Sequence, residues 1–256
     1  MKLADAVCIV TGSATGIGAA CAERLASIGA RVAINYTRSR QEAHEVSRAC
    51  EAKGVETIVV QADVSSDADC RKLAGAVLEK WGRIDALINN AGTTKFVQHN
   101  DLEALDAADF HRIFDVNVVG AFQMARAVVP AMQKQGKGAI VNVSSIAGLT
   151  GLGSSIAYAA SKGALNIMTL SLARALAPAI RVNAVCPGFV ETRWLKQGLG
   201  SSYESLKQNY AANTPLKSTV LPEDVADAAV WLLEGAEKVT GELIIVDSGS
   251  HLQTSR

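Results

Sequence analysis

The chain has 256 residues, 49% hydrophobic and 20% charged, with a formal net charge of zero. That is enough apolar material for a large core in one α/β domain, and the absence of any basic block or arm argues against nucleic acid as a partner. No apolar run reaches the roughly 20 residues of a membrane-spanning helix, and MKLADAVCIVTG lacks the basic start, apolar middle and small-residue cleavage site of a secretory signal.

Strand-like and helix-like runs alternate along the chain. AVCIVT (6–11) is short, apolar and β-branched, and TGIGAACAERLASIG (15–29) has helical periodicity closed by Gly29. ARVAINY (30–36) reads as a strand, 39–53 as a helix, VETIVVQAD (55–63) as a strand and 66–81 as a helix. IDALINNAG (84–92) is a fourth strand ending in a turn, followed by one long helical stretch over about 107–135. GAIVNVSS (138–145), a helix over about 155–177 and IRVNAVCPG (180–188) come next. Residues 192–214 are weakly and unevenly helical, LPEDVADAAVWLLEG (221–235) has Pro222 in its first turn, and GELIIVDSG (241–249) closes the series. Nearly continuous apolar strands joined by helices predict a parallel sheet of about seven strands buried on both faces, a single Rossmann-like doubly wound domain over 1–256.

Between the first strand and first helix lies TGSATGIG, Thr11 to Gly18. Glycines at 12, 16 and 18 allow a tight turn and close approach of backbone to a ligand, and the helix start aims free N–H groups at an anion. A dinucleotide pyrophosphate is the expected guest, and the spacing is GxxxGxG rather than GxGxxG. Further on, YAASK places Tyr158 and Lys162 four apart, on one helix face. A cation beside a phenol favours the phenolate and makes a tuned acid/base, although the same pair would suit the rim of any amphipathic helix.

Taken together, TGSATGIG, Asp63-Val64, NNAG (89–92), Asn117 in FDVNVVG, Ser145 in NVSS, YAASK, PGFVET (187–192) and TGELIIVDSG (240–249) are ordered along the chain as in the short-chain dehydrogenase/reductases, which the sequence resembles over nearly its whole length. The resemblance includes members that reduce 3-oxoacyl groups on acyl carrier protein. It implies that Tyr158 passes a proton to or from the substrate oxygen and that Ser145 holds that oxygen. It implies too that Lys162 lowers the Tyr158 pKa and binds the nicotinamide ribose, and that Asn117 holds a water linking Lys162 to solvent. Gly12, Ser13, Thr15, Gly16, Ile17 and Gly18 would cradle the pyrophosphate. Asp63 and Val64 would meet adenine, with helix capping near Ser66 a second use for Asp63. Asn90, Ala91 and Gly92 would border the adenosine ribose, and Pro187, Gly188, Val190 and Thr192 the nicotinamide. Ser144 would be structural.

In dinucleotide folds an acid at the end of the second strand binds the ribose diol. Here Tyr36 stands in its place, followed by Arg38 and Arg40, so NADP(H) is expected over NAD(H). The expected function is reversible hydride transfer between a small carbonyl compound and its secondary alcohol; a catalytically silent NADP(H) sensor is the alternative from another class. The usual arginine positions of carrier-protein reductases fall near Gly136 and Ala179, which are not basic, although Lys134 and Lys137 are close. Residues 192–217 correspond to a substrate lid, with Trp194, Leu195, Leu199 and Tyr203 as an apolar wall or as packing, and Thr94, Lys95 and Phe96 as further lining. Five scattered cysteines without CxxC suit reduced thiols in the cytoplasm, and His44, His99, His111 and His251 show no metal-ligand spacing. The helices at 107–135 and 155–177 are apolar around much of their circumference, so a face beyond the one on the sheet is expected to meet a partner subunit, and the resemblance implies a homotetramer with a dimer as fallback.

Overall fold

The computed structural model describes residues 1–252. Seven strands form one parallel sheet: β1 (Val7–Val10), β2 (Arg31–Tyr36), β3 (Thr57–Gln61), β4 (Ala86–Asn89), β5 (Gly138–Val143), β6 (Ile180–Pro187) and β7 (Leu243–Val246). Their spatial order is β3-β2-β1-β4-β5-β6-β7, so the chain reverses its direction of winding beside β1 and β4. That switch point opens a crevice at the carboxyl ends of the strands.

Alternation along each strand divides the core into two layers. Cys8, Val10, Ala86, Ile88, Val141 and Val185 face one layer, against α1 (Gly16–Ser27), α2 (Arg40–Glu51) and α10 (Pro222–Glu234). Val7, Ile9, Leu87, Ile140 and Val182 face the other, against α3 (Asp67–Trp81), α5 (Ala121–Lys134) and α7 (Ile156–Leu176). The remaining helices are α4 (Ala107–Phe114), α6 (Ala147–Thr150), α8 (Arg193–Leu199) and α9 (Tyr203–Asn213).

The stretch 107–135 is not one regular helix. Asp115–Gly120 is wound as a π-helix between α4 and α5. The wider winding brings Gly120 onto Val64, where a Cβ would lie 2.8 Å from a valine methyl, and turns Asn117 inward. Apolar periodicity cannot reveal one extra residue in a turn, so this segment read as continuous helix. The helix at 66–81 starts one residue late because Ser66 is its cap, accepting from the Asp69 amide at 3.4 Å. Asp63 is not the cap; its carboxylate accepts from the amide and hydroxyl of Ser65, at 3.0 and 2.7 Å.

Candidate active site

The turn after β1 is built for a close approach. Gly12 and Gly16 have φ of +61° and +58°, in the left-handed region that favours glycine. A Cβ on Gly12 would lie 3.0 Å from the Ala91 Cα, and one on Gly18 would meet the Gly12 carbonyl at 2.5 Å and the Asn90 amide nitrogen. The loop after β4 is fastened to this turn. The Asn90 side chain donates to the carbonyls of Thr11 and Gly12 at 2.9 and 3.0 Å, and the amides of Asn90 and Ala91 donate to the Thr11 hydroxyl at 3.0 Å. Thr15 makes no side-chain cap to α1, whose first turn carries no acid. Its N-terminal amides therefore face the crevice with a positive field, as an anionic pyrophosphate requires.

Ser13 and Gly18 lie behind this cradle, not on the crevice wall. The Ser13 hydroxyl donates to Val10 at 2.7 Å and accepts from the Asn35 amide at 2.9 Å, while its own amide donates to the Asn35 carbonyl at 2.9 Å. With its amide and hydroxyl both engaged, Ser13 stabilises the turn from within. Its partner Asn35 escaped the sequence reading. Its side chain accepts from the Gly12 amide at 3.0 Å and donates to the Ala62 carbonyl at 2.9 Å, tying the cradle to the end of β3. A lone amide inside the apolar run ARVAINY was the available signal.

One cleft of about 1720 Å³ runs along the carboxyl ends of the strands. Gly12, Thr15, Gly16 and Ile17 line it beside Tyr36, Arg38, Asp63 and Val64; then come Asn90, Ala91, Gly92, Ser145, Tyr158, Lys162, Pro187, Gly188, Val190 and Thr192. Arg38 is exposed, and neither its guanidinium nor that of Arg40 has a hydrogen bond or ion pair among the described residues. The glycine cradle, the acid-free helix start and the unpaired arginine fit a nicotinamide dinucleotide.

At the other end, Ser155 caps α7 by accepting from the Tyr158 amide at 3.2 Å, which fixes the first turn of the helix. Tyr158 is half-buried, and Lys162 is 4% exposed, its Nζ 5.6 Å from the Tyr158 ring centre. Lys162 donates to the Val143 carbonyl at 2.8 Å, and its own carbonyl accepts from Ser144 at 3.2 Å, the structural role expected of that serine. Burial pushes the Tyr158 phenol up to about 12, against the opposing effect of the neighbouring Ser145 side chain. Burial likewise lowers the Lys162 ammonium to about 8. Desolvation is the largest influence on the phenol here, and the Lys162 ammonium is engaged by the Val143 carbonyl.

Asn117 is buried off the cleft wall. Its oxygen accepts from the Thr93 amide at 2.8 Å, and its nitrogen donates to the Thr93 carbonyl and the Ser161 hydroxyl, each at 3.0 Å. Both amide hydrogens are engaged, so the side chain braces the loop after β4 against α7.

The segment after β6 forms α8 and α9 over the cleft. Thr192 caps α8, accepting from the Leu195 amide at 3.2 Å, and its methyl would lie 3.3 Å from a Cβ on Gly16. The Val190–Val220 bridge engages the amides of Glu191 and Val220, leaving the backbone groups of Val190 on the other side. Two polar ties, unforeseen from sequence, hold the segment: Arg193 to Glu42 of α2 at 3.1 Å, and Glu191 to both Lys207 and Thr219. Phe96 and Trp194 pack at 5.4 Å, Trp194 and Tyr158 at 6.3 Å, and a Cβ on Gly198 would collide with Phe96. Leu195, Leu199 and Leu206 complete an apolar wall. Tyr203 is not part of it; it is buried against Phe189 at 5.7 Å. Thr94 and Lys95 also turn away, to Ser154 at 2.8 Å and Asp109 at 2.6 Å.

A family model described as enoyl-(acyl carrier protein) reductase matches residues 12–251. A protein named as the second ketoacyl reductase of the granaticin polyketide synthase of Streptomyces violaceoruber is 41% identical over 96% of both chains. Glucose 1-dehydrogenase 2 of Bacillus subtilis is 35% identical over 97% of this chain and 95% of its own. The crystal structure of a protein assigned to the short-chain dehydrogenase/reductases of Burkholderia xenovorans superposes with a TM-score of 0.91 at 44% identity, covering 97% of this chain and 98% of that one. The chain belongs to the short-chain dehydrogenase/reductase family. It is an oxidoreductase acting between carbonyl and CH–OH groups with a nicotinamide cofactor.

Proposed function

We propose that this enzyme uses NADP(H) to interconvert a small carbonyl compound and its secondary alcohol, with Tyr158 as general acid/base. The observation that carries the reading is that Ser145, Tyr158 and Lys162 line the same cleft as the glycine cradle and the Arg38 edge. The cofactor, when bound, supplies or accepts the hydride. Ser145 orients the substrate oxygen beside the phenol, and Tyr158 gives its proton to that oxygen during reduction. Lys162 stabilises the tyrosinate left behind and binds the ribose, while Asn117 keeps the neighbouring loop and π-segment in place. Gly12, Thr15, Gly16 and Ile17 hold the pyrophosphate, with Ser13 and Gly18 shaping that turn from behind. Asp63 and Val64 border adenine, Asn90, Ala91 and Gly92 its ribose, and Pro187, Gly188, Val190 and Thr192 the nicotinamide. Residues 192–217 form the lid of a single domain. Loss of reduced-nicotinamide absorbance with a panel of ketones, using Tyr158→Phe as control, tests the reading; tight NADPH binding without turnover would instead support a silent sensor.

Preference for the 2′-phosphate rests on Tyr36 in the place of an acid and on the unpaired guanidinium of Arg38. Charge-assisted hydrogen bonds contribute roughly 1.5–3 kcal/mol, so Arg38→Ala is expected to weaken NADPH about 10- to 100-fold and leave NADH nearly unchanged. Calorimetric titration of both cofactors checks this. Tighter NADH binding to the unaltered enzyme would overturn the preference.

A carrier-bound 3-oxoacyl substrate is less well supported. Gly136 and Ala179 sit at the amino ends of β5 and β6, opposite the cleft. Val119 and Phe122, each 43% exposed, and Ile167, 64% exposed, leave an apolar surface on the π-segment, α5 and α7. Covering it by a second copy favours a homotetramer, or a dimer; a stable monomer in light scattering at micromolar concentration would exclude both. The five cysteines are free and buried, which suits a cytoplasmic enzyme. No described helix is long and apolar enough to cross a membrane.

A further inference from the structure

The chain beyond β7 bears on the substrate. Ser145 donates to the Pro187 carbonyl at 3.5 Å, and a Cβ on the next residue, Gly188, would lie 2.7 Å from the Asp247 Cβ. Asp247 is 3% exposed and its carboxylate gathers three donors: the Gly249 amide at 2.9 Å, the His251 amide at 2.7 Å and the His251 ring at Nδ1, 2.9 Å away. A carboxylate only accepts, so the ring hydrogen is assigned to Nδ1. Nε2 is then a lone-pair acceptor on the opposite side of an oriented ring, with no hydrogen bond among the described residues. His251 lines the cleft beside Ser250 and Tyr210. The Tyr210 hydroxyl is already committed to the Asp247 carbonyl at 2.9 Å. The wall made by Phe96, Trp194, Leu199 and Leu206 is apolar.

We propose that His251, oriented by Asp247, is a substrate-binding residue that selects carbonyl compounds with an apolar, ring-sized body and a hydroxyl group remote from the reacting carbon. The inference rests on the carbonyl-reductase reading above. His251 is exposed, and its Nε2 lone pair exchanges water for a ligand donor. A carboxylate, phosphate or second carbonyl would set acceptor against acceptor, whereas a hydroxyl donates to it. A ligand hydroxyl placed at Nε2 gains a hydrogen bond that the apolar wall does not supply.

The test uses 1-tetralone and 6-hydroxy-1-tetralone, titrated calorimetrically into the full chain saturated with oxidised nicotinamide dinucleotide. A ketone and oxidised cofactor cannot react, so equilibrium affinities are obtained. The hydroxylated ketone is expected to bind about five- to tenfold more tightly, the worth of one net hydrogen bond. In His251→Ala the ratio of the two affinities is expected to fall to about one. Both ligands are measured on one preparation, so the ratio does not depend on its folded fraction. Equal affinities in the unaltered enzyme, a preference that survives in His251→Ala, or no binding of either ketone would overturn the proposal. The parent reading is judged separately, by NADPH-dependent turnover of 1-tetralone and its loss in Tyr158→Phe. Turnover without a hydroxyl preference sinks the His251 role alone; a hydroxyl preference with turnover insensitive to Tyr158 sinks the acid/base assignment alone.

Discussion

Tyr158→Phe is expected to lower kcat/KM for ketone reduction by about 100- to 10,000-fold, the range for removal of a positioned general acid, while the dissociation constant for NADPH stays within a few-fold. The substitution deletes one oxygen and leaves the ring, so the packing of Trp194 against it at 6.3 Å is kept. It does not touch the start of α7, which is held by Ser155 through the Tyr158 backbone. The phenol is pushed up to about 12, so below that pH the resting enzyme holds the proton it must donate. Reduction suits this state directly. Oxidation first requires the phenol to be ionised, and that demands help from bound cofactor and Lys162. Steady-state absorbance assays with a melting curve of the variant check the effect. A decrease smaller than tenfold, with the fold intact, would move the proton-donor role to another group or to water.

The order of strands and helices was legible because a parallel sheet buried on both faces writes itself as apolar runs. Gly12 and Gly16 were legible because positive φ leaves few alternatives to glycine. What stayed hidden depends on partners far apart in sequence. Ser13 reads as a ligand contact, but its amide and hydroxyl are engaged by Asn35, 22 residues on, and by Val10. Asn117 was recognised, yet its partners Thr93 and Ser161 come from other elements. His251 carries no spacing signal. Only the fold of the chain after β7 brings it into its own cleft beside Asp247. The Tyr158–Lys162 spacing placed both groups correctly, but a pKa is set by burial as much as by a neighbour, and burial is not written in a four-residue interval.

Lys162 therefore gives opposite pH dependences for activity and stability. Its folded-state pKa is about 8, below the ordinary 10.5, because the ammonium is desolvated. The cation is present below about pH 8 and is lost above it. If the charge stabilises the tyrosinate formed during reduction, kcat/KM is expected to fall about tenfold per pH unit above pH 8. The lysine's contribution to stability moves the other way. Between pH 8 and 10.5 the unfolded chain binds more protons at this lysine than the folded one, so this group's contribution to the unfolding free energy rises with pH, against the opposite contribution of the buried cysteines, whose thiols burial raises to about 11–12 at Cys21, Cys50, Cys70 and Cys186. At 1.36 kcal/mol per unit, the gain approaches about 3 kcal/mol from this group. Lys162→Met is expected to reduce kcat/KM at pH 7 by at least about 100-fold, as befits loss of the charge beside a general acid, and to make stability fall more steeply with pH between 8 and 10.5 than it does in the unaltered enzyme. Rate profiles and urea unfolding over pH 6–10.5, on both proteins, read the two effects independently. A rate that stays flat to pH 10 while the two proteins differ in the pH slope of stability would show that the lysine titrates where expected but that its charge is not used in the proton transfer.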